Sequence, residues 1–519
     1  VKKLLLAALT LGAICASDQA LAEGPGLMNP LVLKAHEAIL AMELDEARKL
    51  LDAVPSRDPD GISERALLAV YEGDCDAAVA LLERHGMTGP KSRAADLVEL
   101  ARGCARVTAA TTVLRDEKRG FVIRFKDEDD LPLAPFLMDV AEQALVALDR
   151  DLQVRLPRPL RIDLVRDHFS LAAMTGLPEE SAQTTGTVAI AKWGRVTMLS
   201  PRAMAHGYGW ADTLMHELTH LAISRASHDR APLWLQEGVA KYHEVRWRAP
   251  LPFDHQPSPD AVARLGFERG LGLPLDKLGP SIAMLPTAEQ AMVAFAEVHS
   301  FLRYWLKENG KDALGPFLHS LATVSSQDGV DVVLKQRTGQ DLAAWSQRWQ
   351  ASLASVSTAL PPDLMPPLPP RPGEPPPPSA APSPRALYRS ARVAELLEER
   401  GHLLPAVDYA RKSQLAAPHD PAARARLARP LRALGRHEEA DPLVEQLDAV
   451  RAPHGLFLAL HGALLRKKND DSAAQQAFTR AVEQDPLRVE VACELVDAGQ
   501  LPAEAPRAAL CRAVRDRAP

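Results

Sequence analysis

The stretch LMHELTHLAISRASHDRAPLWLQEGVAKYHE, residues 214–244, decides how the centre of this chain is read. His216 and His220 are four residues apart, so at about 100° per residue both fall on one helix face, one turn apart. Glu217 stands about 100° round from His216, beside the position the two imidazoles define and aimed at open coordination space. Fourteen residues after His220 begins WLQEGVAKY, a second helix opening just past Pro232. It carries Glu237, and Gly238 next to it lets two helices pack closely. Zinc accepts imidazole nitrogen and carboxylate oxygen, and a catalytic site keeps three protein ligands and one open position. His216, His220 and Glu237 are therefore the candidate Zn²⁺ ligands, and Glu217 is the candidate general base for a water. Asp212 is expected to start the first helix. His228 and His243 sit at no ligand spacing and read as surface residues.

Working outward, residues 106–358 read as α+β. GFVIRFK (120–126) and PLRIDLVRD (159–167) alternate as strands around an amphipathic helix near 134–151, and GTVAIAKWGRVTMLS (186–200) reads as a hairpin turning at Gly194. From about 209 the pattern is helical. Residues 361–384 contain 13 prolines in 24 positions. At ~3.1 Å per residue such a segment could hold flanking units up to roughly 75 Å apart, so 359–385 is read as a linker crossed by few contacts.

Beyond it, Gly401, Gly435 and Asn469 recur every 34 residues, each followed five residues later by an alanine, Ala406, Ala440 and Ala474. Pro418 and Pro486 close two of the units, and Pro453 lies one position off register. A 34-residue period of turn residue, small residue and closing proline resembles tetratricopeptide repeats, in which helix pairs stack because none buries its apolar face alone. Residues 386–519 are assigned to them. In ARARLARPLRALGR (423–436), Arg424, Arg426, Arg429, Arg432 and Arg436 form either a solvated face or a dock for an acidic partner. A weaker echo, LDEARKLLDAV (44–54) against CDAAVALLERH (75–85), marks 29–105 as a helical-repeat region.

The 519 residues suit two to four domains, and a formal charge of −6 gives no reason to expect nucleic acid. Residues 1–22 read as a secretory signal: Lys2 and Lys3, an apolar run from Leu4 to Ala16, then Ala20-Leu21-Ala22. Cys15 raises lipidation as the rival, although Ile14 is bulky where such signals want a small residue. No later stretch reads as long and apolar enough to span a bilayer, so the mature protein is expected to be secreted or periplasmic. Cys75, Cys104, Cys493 and Cys511 then remain, as two local disulfides or as four buried thiols.

HELTH followed by PLWLQEGVAKY resembles the gluzincin metallopeptidases, specifically exported peptidase MA-like domains related to the catalytic domains of thermolysin and the zinc aminopeptidases. The resemblance covers roughly 115–355, including HSFLRYWLKENG (299–310) and TGQDLAAWSQRW (338–349). It implies zinc on His216, His220 and Glu237, Glu217 as general base, and a small sheet above helices with substrate along an edge strand. The chain is thus expected to be multidomain and mostly α, with a central α+β thermolysin-like zinc peptidase domain between tetratricopeptide-like regions. Relatives place a transition-state donor in a later helix; here His299 or Tyr304 stands for it, and Phe295 occupies a place where a tyrosine is common. Lys241 stands four residues after Glu237, where thermolysin-type enzymes carry an acid supporting a histidine ligand. No glycine-rich glutamate motif precedes the site to hold a free amine, which favours an endopeptidase over an aminopeptidase. The expected partners are a protein or peptide substrate and a protein held by the C-terminal repeats. The alternative is a catalytically inactive, metal-binding scaffold, against which the retained Glu217 argues.

Overall fold

A computed structural model of the chain describes residues 29–89, 94–203, 208–250, 254–255, 257–324, 329–360, 384–418, 420–445, 454–485 and 488–502, with positions 92, 368, 504, 505, 508, 511 and 512. The signal sequence and nearly all of the proline-rich linker lie outside the described residues, as do Pro453 and Pro486.

Five helices open the described chain: α1 (Pro30–Leu40), α2 (Leu44–Asp52), α3 (Pro59–Glu72), α4 (Cys75–Arg84) and α5 (Ala95–Thr108). Ala47 and Ala78, the equivalent positions of the N-terminal echo, are both fully buried, and a disulfide joins Cys75 to Cys104. β1 (Thr112–Asp116) and β2 (Phe121–Phe125) follow, then α6 (Ala134–Leu152), β3 (Leu160–Val165), α7 (His168–Thr175), α8 (Glu179–Thr185), β4 (Ala189–Lys192) and β5 (Arg195–Leu199). β1 is a strand the sequence reading did not single out. The sheet order is β1-β2-β3-β5-β4. β2, β3 and β5 run parallel, while β1 and β4 are antiparallel edges. Trp193 and Gly194 both take positive φ at the β4–β5 turn, which a two-residue primed turn requires.

The first three helices share an apolar core with this sheet, where Ile39, Leu51 and Leu68 cluster with Phe121, Ile123 and Ile162, while Ala78, Leu82, Val98 and Ala101 of α4 and α5 form a second cluster with Ala66 and Val70 of α3. Arg195, fully buried, bonds the Val70 carbonyl and pairs with Asp163 at 3.6 Å, and Arg161 Nε donates to the Glu72 carbonyl at 2.9 Å. Together with the one-turn helix before it, α6 makes a segment, Glu128–Leu152, that by length and composition could cross a membrane. This departs from the expectation that no such stretch follows the signal. In the fold it is a core helix whose Leu137, Ala141, Ala144 and Leu148 are fully buried, because alanines admit close approach of the next helix.

That next helix is α9 (Trp210–Ser227), followed by α10 (Leu233–His243), α11 (Pro259–Glu268), α12 (Ala288–Asn309), α13 (Leu314–Leu321), α14 (Gly329–Thr338) and α15 (Leu342–Leu353). α9 packs on α6, α10, α13 and β4, and α10 packs on α12. A Cβ on Gly238 would stand 2.8 Å from the Val298 carbonyl, so this glycine brings α10 against α12. Helix α9 begins at Trp210 with Gly209 as N-cap and no side-chain cap, two residues earlier than expected. Asp212 caps nothing; it accepts from Trp247 Nε1 at 2.8 Å and from Arg248.

The C-terminal unit has its own core. It comprises α16 (Pro384–Glu399), α17 (Leu403–Ala416), α18 (Pro421–Ala433), α19 (His437–Glu445), α20 (Gly455–Lys467), α21 (Asp471–Gln484) and α22 (Val489–Asp497). Gly401, Gly435 and Asn469 each take positive φ between successive helices, and Ala406, Ala440 and Ala474 are buried where each pair crosses. Left-handed backbone is open to glycine and tolerated by asparagine, which accounts for these residue types at the 34-residue interval. A second disulfide joins Cys493 to Cys511. Three arginines of the run, Arg426, Arg429 and Arg432, are paired within the unit, while Arg436 is exposed beside Glu439. Arg426 pairs with Glu395 at 3.1 Å, Arg429 with Glu398 and Glu490, and Arg432 with Glu494 at 2.9 Å, all within the unit. Burial raises the Glu398 carboxyl to about 7 against these cations. Nor is the unit held at a distance, since α21 packs against α9.

Candidate metal centre

The buried face of α9, with Leu214, Leu218, Leu221 and Ala222, turns His216 and His220 toward α10. Their Nε2 atoms stand 3.2 Å apart, and Glu237 Oε2 lies 3.5 Å from each. A tetrahedral dication held at ~2.0–2.1 Å sets its ligand atoms roughly 3.3–3.4 Å apart, so this triangle has the right size. Glu237 Oε2 is buried without a hydrogen-bond partner, an arrangement that a buried carboxylate tolerates only beside positive charge. Burial opposes ionisation of Glu237, but the two histidines overcome it and hold the carboxyl well below the usual range. Burial likewise disfavours an imidazolium at His216, and Glu237 and Glu244 outweigh it, raising its pKa to about 9. The same negative field favours a bound cation.

Glu217 is buried beside this triangle, and burial pushes its carboxyl up. The backbone of Ala191, on edge strand β4, hydrogen bonds it. On its outer side β4 pairs with no other strand among the described residues.

Lys241 holds Glu244 at 2.6 Å, and Glu244 Oε2 lies 3.7 Å from His216 Nδ1, the nitrogen away from the ligand triangle. Glu244 supplies the carboxylate that Lys241 cannot, and the sequence reading missed it. The signal was present: seven residues is close to two helical turns, which returns Glu244 to the face of Glu237. A carboxylate behind a ligating imidazole fixes its ring and raises its basicity, and removing one typically costs 10–100-fold in metal affinity. Glu244→Ala is expected to weaken zinc binding by about that factor in chelator competition, with the helical content unchanged.

His299 faces His255. It is buried on α12, its ring 5.0 Å from that of His255, and its Nε2 has no hydrogen-bond partner. Burial lowers its pKa to about 3, reinforced by Lys241. No hydrogen bond or ion pair joins it to His216, Glu217, His220 or Glu237 among the described residues. Tyr304 lies about 140° further round α12 and packs edge-on to Trp345 at 6.3 Å. Phe295, one turn before His299, has the Lys241 ammonium 5.9 Å from its ring. His228 ends α9 in left-handed conformation and is part-exposed. His243 is not a surface residue: it is fully buried, bonded to the Val239 carbonyl and 3.7 Å from Asp151. Asp151, at the end of α6, comes up to this side of α10, which a helix's own periodicity does not reveal.

Two residues before His299, Glu297 is fully buried with Oε1 unpartnered, and Oε2 accepts from Leu273 N at 3.3 Å. Burial raises its pKa to about 8. The folded chain therefore keeps a proton that the unfolded chain releases from about pH 4.5, and stability declines as pH rises from there to about 8. Glu297→Gln is expected to raise Tm by several degrees at pH 8 and to change it little at pH 4.5, in thermal unfolding. An equal shift at both pH values would contradict the buried carboxyl as cause.

No curated protein matches the chain. Residues 140–355 match the family model of the Peptidase MA superfamily. That span starts within α6, ends just past α15 and contains the two histidines, Glu217, Glu237 and Glu244. With the ligand triangle at its centre, the stretch 140–355 is a peptidase MA-like domain.

Proposed function

We propose that this protein is an exported, zinc-dependent metalloendopeptidase of the gluzincin type. The observation that carries the reading is the 3.2–3.5 Å triangle of His216, His220 and Glu237 with Glu217 buried beside it. When bound, zinc supplies Lewis acidity to the reacting water and carbonyl. Glu217 accepts the proton of the attacking water at its carboxylate and later donates it to the leaving amine. Its raised proton affinity suits both halves of that task. An extended substrate pairs along the free edge of β4, so its backbone carbonyl comes beside Glu217, which is itself bonded to Ala191 of that strand. The paired cysteines fit an oxidising compartment, secreted or periplasmic. The 34-residue geometry of the C-terminal unit supports a tetratricopeptide-like array that engages a protein substrate or partner.

A second reading, a metal-binding scaffold without turnover, is favoured by Phe295 and by the lack, among the described residues, of a hydrogen bond or ion pair between His299 and the triangle, which leave the developing oxyanion without an assigned side-chain donor. Metal analysis with casein turnover separates the two. The peptidase reading expects about one zinc per chain and hydrolysis abolished by chelator and restored by zinc. Stoichiometric zinc with no chelator-sensitive hydrolysis of any protein tested would overturn it in favour of the scaffold.

A further inference from the structure

The C-terminal unit touches the zinc-site helix at one end, and the residues there are not those of a casual contact. Arg480 of α21 is largely buried, and its guanidinium lies 5.4 Å from the ring centroid of Trp247, in the segment after α10. Trp247 Nε1 donates to Asp212 Oδ1 at 2.8 Å. Arg248 closes the same carboxylate with two further bonds of 3.0 and 2.9 Å and reaches on to Asp254. Asp212 is the third residue of α9, one turn before His216 on the same face. One turn beyond Arg480, buried Gln484 places Oε1 3.6 Å from where a Cβ on Gly209, the N-cap of α9, would stand. α9 has no side-chain cap of its own.

Burying Arg480 is costly. Its Nε and Nη2 have no hydrogen-bond partner, and the Arg248 cation is close enough to oppose it. Glu483 at 2.6 Å, Asp212 and the Trp247 ring face offset that cost. A guanidinium stacked on an indole in a desolvated place is among the stronger cation–π contacts. Across the junction it holds Trp247 and, through it, Asp212.

We propose that the C-terminal helical unit is an intramolecular brace on the zinc-site helix, with Arg480 as the positioning residue that acts through Trp247 and Asp212 on the first turns of α9. The unit is then a working part of the catalytic body, so a ligand that shifts α21 also shifts the turn carrying His216. The inference rests on the proposed metal site only for its second readout.

The test is hydrogen exchange of the full-length protein, with zinc affinity by chelator competition beside it. Arg480→Ala is expected to speed amide exchange across 213–217 at least tenfold and to weaken zinc binding several-fold, with exchange in α20 unchanged. Trp247→Leu, made from the other side of the contact, is expected to do the same, and the double variant to do no more than either single one. Arg480→Lys, which keeps the cation, should recover part of both effects. Unchanged exchange across 213–217, additive single effects, or loosening that spreads through α20 would each overturn the brace. A protein that binds no zinc at all would instead sink the metal site and leave the exchange result to stand.

Discussion

Glu217→Gln is expected to bind zinc like the wild type, keep its fold, and lose peptide hydrolysis by roughly 10²- to 10⁴-fold, the usual contribution of a positioned acid–base group. The substitution is isosteric and touches no ligand atom, because the triangle consists of His216, His220 and Glu237. Glutamine can still accept from the Ala191 backbone, so the local geometry survives. What it cannot do is take a proton from water. Single-turnover rates with a quenched-fluorescence peptide measure the loss. A variant that kept more than about a tenth of wild-type turnover at unchanged metal content would remove Glu217 from the mechanism.

The second large effect concerns the metal itself. His216→Ala or His220→Ala leaves one imidazole and one carboxylate, too few donors to keep a catalytic dication firmly. Zinc affinity should fall by well over the roughly 100-fold expected for the supporting Glu244, since a ligand is lost rather than its support. Metal content after gel filtration against a chelator reads this directly. The fold should persist, as Leu214, Leu218, Leu221 and Ala222 stay buried on the other face of α9. Both single variants retaining stoichiometric zinc would dissolve the site.

The order of these effects follows from geometry that was legible in the sequence. Two histidines four apart face the same way on any helix, and a proline followed by WLQEGVAKY opens a second helix wherever it sits. The 34-residue interval was legible for the same reason: positive φ at Gly401, Gly435 and Asn469 is a local demand of the backbone. Less was legible about roles. A place in a later helix suggests His299 as the donor, and the structure shows it beside His255, within the field of Lys241 and Glu244. Glu244 was passed over because Lys241, three residues earlier, drew the comparison.

Local sequence thus settles what is short in range: which helices form, which faces carry His216, His220 and Glu237, where the chain turns, and which cysteines are near enough to pair. Contacts between distant segments settle the rest. Asp151 buries His243 from 92 residues away in the chain. Arg195 ties the sheet to the N-terminal helices at Val70, and Ile39, Leu51 and Leu68 of those helices join the sheet's core. Glu395, Glu398, Glu490 and Glu494 pair with Arg426, Arg429 and Arg432 of the arginine run, and Arg480, beyond a proline-rich linker in sequence, reaches Trp247. The physical reason is the same in each case. Helix and turn preferences are set by a residue's own covalent geometry and its neighbours within one or two turns. Burial and charge pairing instead depend on which distant surface arrives, and a single chain's periodicity carries no record of that.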